Sequence, residues 1–144
     1  MALPPDSSTV AALAGATTAV RLSLHVTAAA VWVGGQLTVA GLLPTVRRLG
    51  AGAPRAVARA FGRIEWPAYL VLLGTGVWNI AATSTGQSST WRAVLVAKVA
   101  VVVLAGAAAF AHQRARSRAA LGAYGALTAL ASLAALVLGV VLAG

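Results

Sequence analysis

A histidine, a tryptophan and a glutamine share one face of the first apolar stretch of the sequence. His25, Trp32 and Gln36 are spaced i, i+7 and i+11, which places them within about 40° of one another on a regular helix with about 100° per residue. An imidazole can bind a metal or exchange a proton near neutral pH. This stripe is therefore a candidate ligand-binding surface, although the same stripe can also face the protein interior and hydrogen-bond neighbouring helices.

Two further polar residues lie in other apolar stretches at a similar predicted depth. Lys98 lies about 10 Å below the predicted outer end of its helix, and Asn79 lies in the outer half of the preceding one. The Lys98 ammonium can pair with an anionic ligand or snorkel to the headgroups. The predicted ligand-binding residues are His25, Trp32, Gln36, Asn79 and Lys98. His25 is the candidate metal ligand, and no catalytic residue is predicted.

His112 and Glu65 are expected to have structural roles. His112 lies about 25 Å from His25 along the membrane normal, so the two histidines cannot bind one metal within one copy of the chain. We expect His112 at the membrane interface. Glu65 precedes the second apolar stretch, where a helix N-terminus and nearby arginines, among them Arg59 and Arg63, are expected to stabilise its carboxylate.

Four apolar stretches make up most of the 144-residue chain. Of its residues 60% are hydrophobic and 9% charged, with a mean hydropathy of +0.88, whereas a soluble domain carries about 25% charged residues. A helix of about 20 residues crosses the hydrocarbon core of a bilayer. We predict an all-α polytopic membrane protein, one domain over residues 1–144, folded as a four-transmembrane-helix up-down bundle. The predicted spans are residues 22–43, 66–82, 91–111 and 121–142.

Prolines and glycines mark the predicted ends and contacts of these spans. Pro44 is expected to end the first span, and Pro67 to occupy the first turn of the second. Residues 1–18 are predicted to form a retained, partly helical extracellular lead-in, because no positive region typical of a secretory signal begins the sequence. Glycines let helices approach closely in lipid. The glycines predicted to do so are Gly34, Gly35, Gly74 and Gly76.

The basic residues give the chain a net charge of +9 and are distributed unevenly. Eight of the eleven fall in two connections between spans, whereas only Arg21 and Arg92 flank the opposite ends. The positive-inside rule therefore places these connections in the cytoplasm and both termini outside. We expect the clusters to contact anionic lipid headgroups and not nucleic acid. The clustered residues are Arg47, Arg48, Arg55, Arg59, Arg63, Arg114, Arg116 and Arg118.

The scarcity of acidic and sulfur-containing side chains excludes several kinds of chemistry. Asp6 and Glu65 are the only acidic residues, so the chain lacks the clustered carboxylates of glycosidases and of carboxylate-bridged metal sites. No cysteine is present, which excludes disulfides and thiolate catalysis, and Met1 is the only methionine. Because one copy of the chain offers His25 and little else as a metal ligand at the outer face, a closed metal site would need a homo-oligomer or a membrane partner protein.

The segment LHVTAAAVWVGGQLTVAGLLPTVRR resembles the first helix of the copper resistance protein D family (CopD-like domains). The resemblance extends to about residue 112. It implies a compact multi-helix membrane domain that handles copper across the bacterial inner membrane. The matching positions are His25, Trp32, Gly34, Gly35, Leu43, Pro44, Phe61, Arg63, the turn LLGTGVWN and Lys98.

The first and third helices are also similar to those of HemJ-like protoporphyrinogen oxidases. This similarity implies that His25 contacts a haem or porphyrin and that Lys98 is its partner. The sequence departs from that family at AGLLPTVRR, where HemJ-like proteins continue with aromatic residues and arginines. Three functions therefore remain open: copper handling, binding of haem b or a porphyrin, and an accessory role in stabilising a partner protein.

Overall fold

The computed structural model describes residues 7–143, and within them it contains helices joined by short connections and no strand. The predicted all-α class is therefore confirmed for this part of the chain. A single π-helical turn interrupts the first helical stretch. The elements are α1 (Ser7–Ala29), the π-turn (Ala30–Gly34), α2 (Gly35–Arg48), α3 (Ala53–Thr83), α4 (Ser89–Arg114) and α5 (Arg118–Ala143).

Three helical stretches are long and apolar enough to cross a membrane. They are Gly15–Arg48, Ser89–Arg114 and Arg118–Ala143. Helix α3 is equally long but less apolar, because Glu65, Pro67 and Asn79 interrupt its hydrophobic sequence. The structure thus shows a helical protein with three candidate membrane spans and one further helix, and the predicted span 66–82 stays a prediction.

Large apolar side chains cover much of the outside of the helices. Val26, Leu70 and Leu130 are 64%, 65% and 66% exposed, and no large side chain in the described part of the chain is fully buried. In lipid, helices associate through close packing and hydrogen bonds and not through burial of such side chains from water. This exposed surface is therefore the one that the bilayer would contact.

Two sequence-based helix boundaries differ from the structure. Pro44 lies inside α2, which continues to Arg48, because the loss of one hydrogen bond near a helix end does not stop the last turn. Helix α3 begins at Ala53, so Pro67 lies in its interior and Pro54 occupies the first turn. Residues 7–18 of the predicted lead-in are helical, and residues 1–6 lie outside the described part.

The helices pack as two antiparallel pairs that meet at the π-turn. In the first pair, α3 packs against the first helical stretch, which consists of α1, the π-turn and α2. In the second pair, α4 packs against α5, and this contact is the most extensive one. The π-turn contacts both α3 and α5. The cores of the two pairs therefore join near the middle of the molecule.

Aromatic side chains fill this junction. Trp32, on the π-turn, is 2% exposed, and its ring centroid lies 4.5 Å from that of Tyr69 and 6.1 Å from that of Trp66. The Trp32 Nε1–H donates to Ser132 Oγ at 2.8 Å, and the Tyr69 hydroxyl donates to the carbonyl of Val102 at 2.9 Å. These two bonds link α3 and the π-turn to α4 and α5.

Of the four glycines singled out in the sequence, Gly35 lies at a close helix contact and Gly76 at an ordinary van der Waals contact. The ring of Phe61 occupies the space that a Cβ at Gly35 would need. The Cε1 atom of His25 lies 3.9 Å from the Cβ position of Gly76. Nothing in the described residues lies within 4 Å of the Cβ positions of the other two, Gly34 and Gly74.

Candidate functional site

The His25 imidazole is held in one tautomer by a residue of the neighbouring helix. Its Nδ1 lies 2.8 Å from Thr75 Oγ1, and that hydroxyl lies 2.6 Å from the carbonyl oxygen of Val71. A carbonyl can only accept, so the single hydroxyl proton goes to Val71 and Nδ1–H of His25 must be the donor. Nε2 is therefore left unprotonated, with no hydrogen-bond partner among the described residues.

Lys98 approaches His25 from α4 and is half-buried. Its ammonium lies close enough for its charge to act on the imidazole. Its Nζ lies 3.1 Å from the Cβ position of Gly139, one helical turn before Leu142, whose carbonyl accepts from Trp91 at the end opposite the arginine-bearing connections. The ammonium thus stops about 5 Å short of that end. The side chain reaches outward and still remains between helices.

Arg21 adds a second positive group beside His25, one turn away on α1. The residue is 7% exposed, and its Nε is buried without a hydrogen-bond partner. Burying an uncompensated charge is costly. Asn79, one turn outward from Thr75, is half-buried, and its side-chain amide has no hydrogen-bond partner in the described part of the chain. We call the surroundings of His25 the outer site, after their predicted position. This site contains two side chains whose hydrogen-bond donors have no partner among the described residues: the charged guanidinium of Arg21, at Nε, and the neutral amide of Asn79.

Trp32 and Gln36 lie away from this outer site. Trp32 belongs to the central aromatic junction, and Gln36 lies about 16 Å further along the helix axis from His25. The Gln36 Nε2 donates to Glu65 Oε1 at 3.2 Å. The five predicted ligand-binding residues thus divide into two groups. The outer group is His25, Asn79 and Lys98, and the second is Trp32 and Gln36.

Glu65 does not have the surroundings expected from the sequence. It is 8% exposed, and Gln36 is its only hydrogen-bond partner among the described residues. No arginine of that part of the chain lies within 4.0 Å of its carboxylate, and Arg114 instead stacks over Phe110 at 3.8 Å. The expectation is wrong because α3 begins at Ala53, which places Glu65 in the helix interior and not at its N-terminus.

Glu65 and His112 line one cavity between the two helix pairs, at the arginine-rich end of the molecule. The cavity has a volume of about 360 Å³. His112 Nδ1 lies 2.9 Å from the carbonyl of Leu121, so Nδ1–H is the donor, and Nε2 has no hydrogen-bond partner among the described residues. Sequence reasoning missed this second polar site. An acidic residue inside a hydrophobic sequence was the signal that pointed to it.

Comparison of the chain with protein-family models, with curated proteins and with solved structures gives no match. The structure itself defines the class, an all-helical protein with three candidate membrane spans and two separate polar sites. The outer site contains His25, Thr75, Lys98, Asn79 and Arg21, and the inner site contains Gln36, Glu65 and His112.

Proposed function

We propose that this protein binds an anionic, metal-centred ligand of the haem type through His25. The observation that carries the proposal is the Nδ1–H bond to Thr75, which leaves the Nε2 lone pair available. Histidines that bind metals almost always donate their other ring N–H in this way, because the bond fixes the tautomer and the orientation of the ring. A haem supplies an iron atom that accepts such a lone pair.

The charges around His25 favour an anionic complex over a bare metal cation. Lys98 and Arg21 are both positive: Lys98 is near enough for its charge to act on the imidazole, and Arg21 lies one helical turn from His25 on α1. They would repel a free cation, whereas they can pair with the carboxylates of a haem or porphyrin. This reasoning supports the haem-binding alternative over the copper-handling one.

Copper handling, which the CopD-like resemblance implies, is the second candidate. The Nε2 lone pair of His25 supports it, since imidazole also binds copper. The described residues contain no group of three or more His, Cys, Asp or Glu side chains that can hold a metal. A copper site would therefore need ligands from a second copy or from a partner protein.

We also propose that α3 crosses the membrane and completes a four-helix bundle in the bacterial inner membrane. Helix α3 hydrogen-bonds α1 at Thr75, α2 at Glu65 and α4 at Tyr69. A helix paired with candidate spans over this length lies at the same depth as they do. The arginine-bearing connections would then face the cytoplasm and both termini the outside.

The proposed function is tested on the full chain purified in mild detergent. Hemin is titrated in, and the Soret band and bound iron are measured. We expect one hemin per chain, with His25→Ala lowering the affinity at least about tenfold. His112→Ala is the matched control, because His112 also donates through Nδ1 to a helix oxygen and leaves Nε2 free. Equal affinities of His25→Ala and the parent would overturn the haem proposal.

A parallel titration with Cu(I) separates the two candidates. Stoichiometric copper that depends on His25, with no Soret band on addition of hemin, would establish the second candidate in place of the first. A protein that binds neither would contradict both and would favour the accessory role.

A further inference from the structure

Two adjoining cavities lie at the arginine-rich end of the molecule. A cleft of about 720 Å³ opens between the start of α3 and the connection from α4 to α5. This cleft shares part of its wall with the 360 Å³ cavity that Glu65 lines. We call that second cavity the groove, and it lies between the helix pairs. Both volumes fall within the range of about 300–1,000 Å³ typical of ligand sites. The shared wall consists of Ala58, His112, Gln113 and Leu121.

The cleft is strongly positive. Four arginines line it, and none has an ion-pair partner within residues 7–143. Glu65, the one acidic residue in that range, lines the groove and not the cleft. Unpaired guanidinium groups around one cleft favour a phosphate, which they can bind through several charge-assisted hydrogen bonds. The four are Arg55, Arg59, Arg63 and Arg116.

The groove, in contrast, is lined mainly by hydrocarbon. Aliphatic and small residues from α2 and α5 face each other across it, and the ring of Phe61 closes one side. Its polar lining is confined to a few side chains, of which Gln36 and Glu65 bind each other. A hydrocarbon chain matches such a surface. The apolar lining includes Leu37, Val39, Leu43, Phe61, Ala126 and Ala129.

We propose that the cleft and the groove together bind one anionic phospholipid of the surrounding bilayer. Its phosphate lies among the cleft arginines, and one acyl chain lies in the groove. A positive cavity and an apolar cavity that adjoin along shared lining residues match the two parts of an amphiphile of this charge. The proposal goes beyond general attraction of arginines to headgroups, because it specifies a single lipid and a chain-binding groove. It does not involve His25 or its ligand.

The proposal is tested by native mass spectrometry of the full chain in a neutral detergent. Dioleoyl-phosphatidylglycerol and dioleoyl-phosphatidylcholine are titrated separately as probes. We expect one phosphatidylglycerol to bind per chain, at least about tenfold more tightly than phosphatidylcholine, because only the former has a net negative charge to complement the cleft. Equal binding of the two lipids would overturn the proposal.

Arginine variants separate the cleft from the general basic charge of this end. Arg59→Gln and Arg63→Gln should each weaken phosphatidylglycerol binding several-fold. Arg47→Gln and Arg48→Gln are matched controls, because these arginines lie at the end of α2 and do not line the cleft. An equal loss in all four variants would show diffuse electrostatic attraction and would contradict a defined site.

Groove variants test the position of the acyl chain. Ala126→Trp should fill the groove and weaken binding, and Ala129→Leu provides a milder second variant if the first does not fold. Circular dichroism checks the helical fold of both. Glycerol phosphate, which has the phosphate but no chain, should compete much less effectively than the lipid, because it cannot make the packing contacts of an acyl chain in the groove. Unchanged lipid binding in folded groove variants, or equal competition by glycerol phosphate, would overturn the assignment of the groove.

Discussion

The indole nitrogen of Trp32 lies 2.8 Å from the hydroxyl oxygen of Ser132, which is 100 residues further along the chain. Both residues are almost fully buried, at 2% and 3% exposure. The bond joins the π-turn of the first helix pair to α5 of the second. Helices in lipid cannot rely on burial from water for association, so in a bilayer a buried interhelical hydrogen bond of this kind would help to fix how the two pairs meet.

Trp32→Phe should therefore destabilise the junction. The Ser132 hydroxyl would lose its partner inside the protein, which costs about 1–3 kcal/mol, and the smaller ring adds a packing loss. Free energies of unfolding measured in detergent for Trp32→Phe, Ser132→Ala and the double variant isolate the bond, since packing losses cancel in the cycle. We expect a coupling of about 1 kcal/mol. A coupling of zero would show that the bond does not stabilise the junction.

Thr75→Val should release the His25 tautomer while preserving side-chain shape. Without the hydroxyl acceptor, the proton can occupy either ring nitrogen, whereas Thr75→Ser keeps the acceptor. Imidazole ¹⁵N chemical shifts of histidine-labelled protein report the tautomer directly. His112 serves as the internal reference, because its bond to the Leu121 carbonyl is not altered. Shifts of His25 that are identical in Thr75→Val and the parent would contradict the tautomer assignment.

Single cysteines can test both the topology and the crossing of α3, since the chain contains none of its own. Cysteine at Ser88 should react with an impermeant thiol reagent in intact cells, whereas cysteine at Ala51 or Ser117 should not. Ser88 and Ser117 are well matched, because each hydroxyl accepts a backbone N–H three residues further on. Reaction at Ser117 and not at Ser88 would reverse the orientation. Labelling of Ala51 and Ser88 from the same side would show that α3 does not cross.

Gly35→Ala should destabilise the protein much more than Gly34→Ala. A methyl group at Gly35 meets the ring of Phe61, whereas at Gly34 it meets nothing within 4 Å. Alanine at Gly34 should even stabilise the helix by about 0.5–1 kcal/mol, because glycine is the poorer helix former. The melting temperatures of the two variants in detergent provide the measurement. In a protein that already has Phe61→Ala, adding Gly35→Ala should lower the melting temperature only slightly. An equally large decrease in that background would show that the clash is not with Phe61.

The positions of the helices and of their polar residues along the helix axes could be predicted from the sequence. Helix content follows from long apolar stretches interrupted by polar connections, which are local features. Depth follows from the rise of about 1.5 Å per residue, so the placement of His25 and Lys98 at one end and His112 at the other needed no tertiary information. The sequence also brought His25 and Lys98 to compatible depths, and in the structure the Lys98 charge acts on the imidazole.

Only the tertiary structure decided which polar side chains face one another. The predicted stripe assumed a regular helix from His25 to Gln36, but the π-turn between them inserts an extra residue per turn and rotates everything that follows. Gln36 consequently meets Glu65, and Trp32 meets Ser132. Helical periodicity determines the direction of a side chain on its own helix, whereas the partner it meets depends on how the other helices pack around it. The pairing of Glu65 with an amide, instead of with arginines, could therefore come only from the folded arrangement.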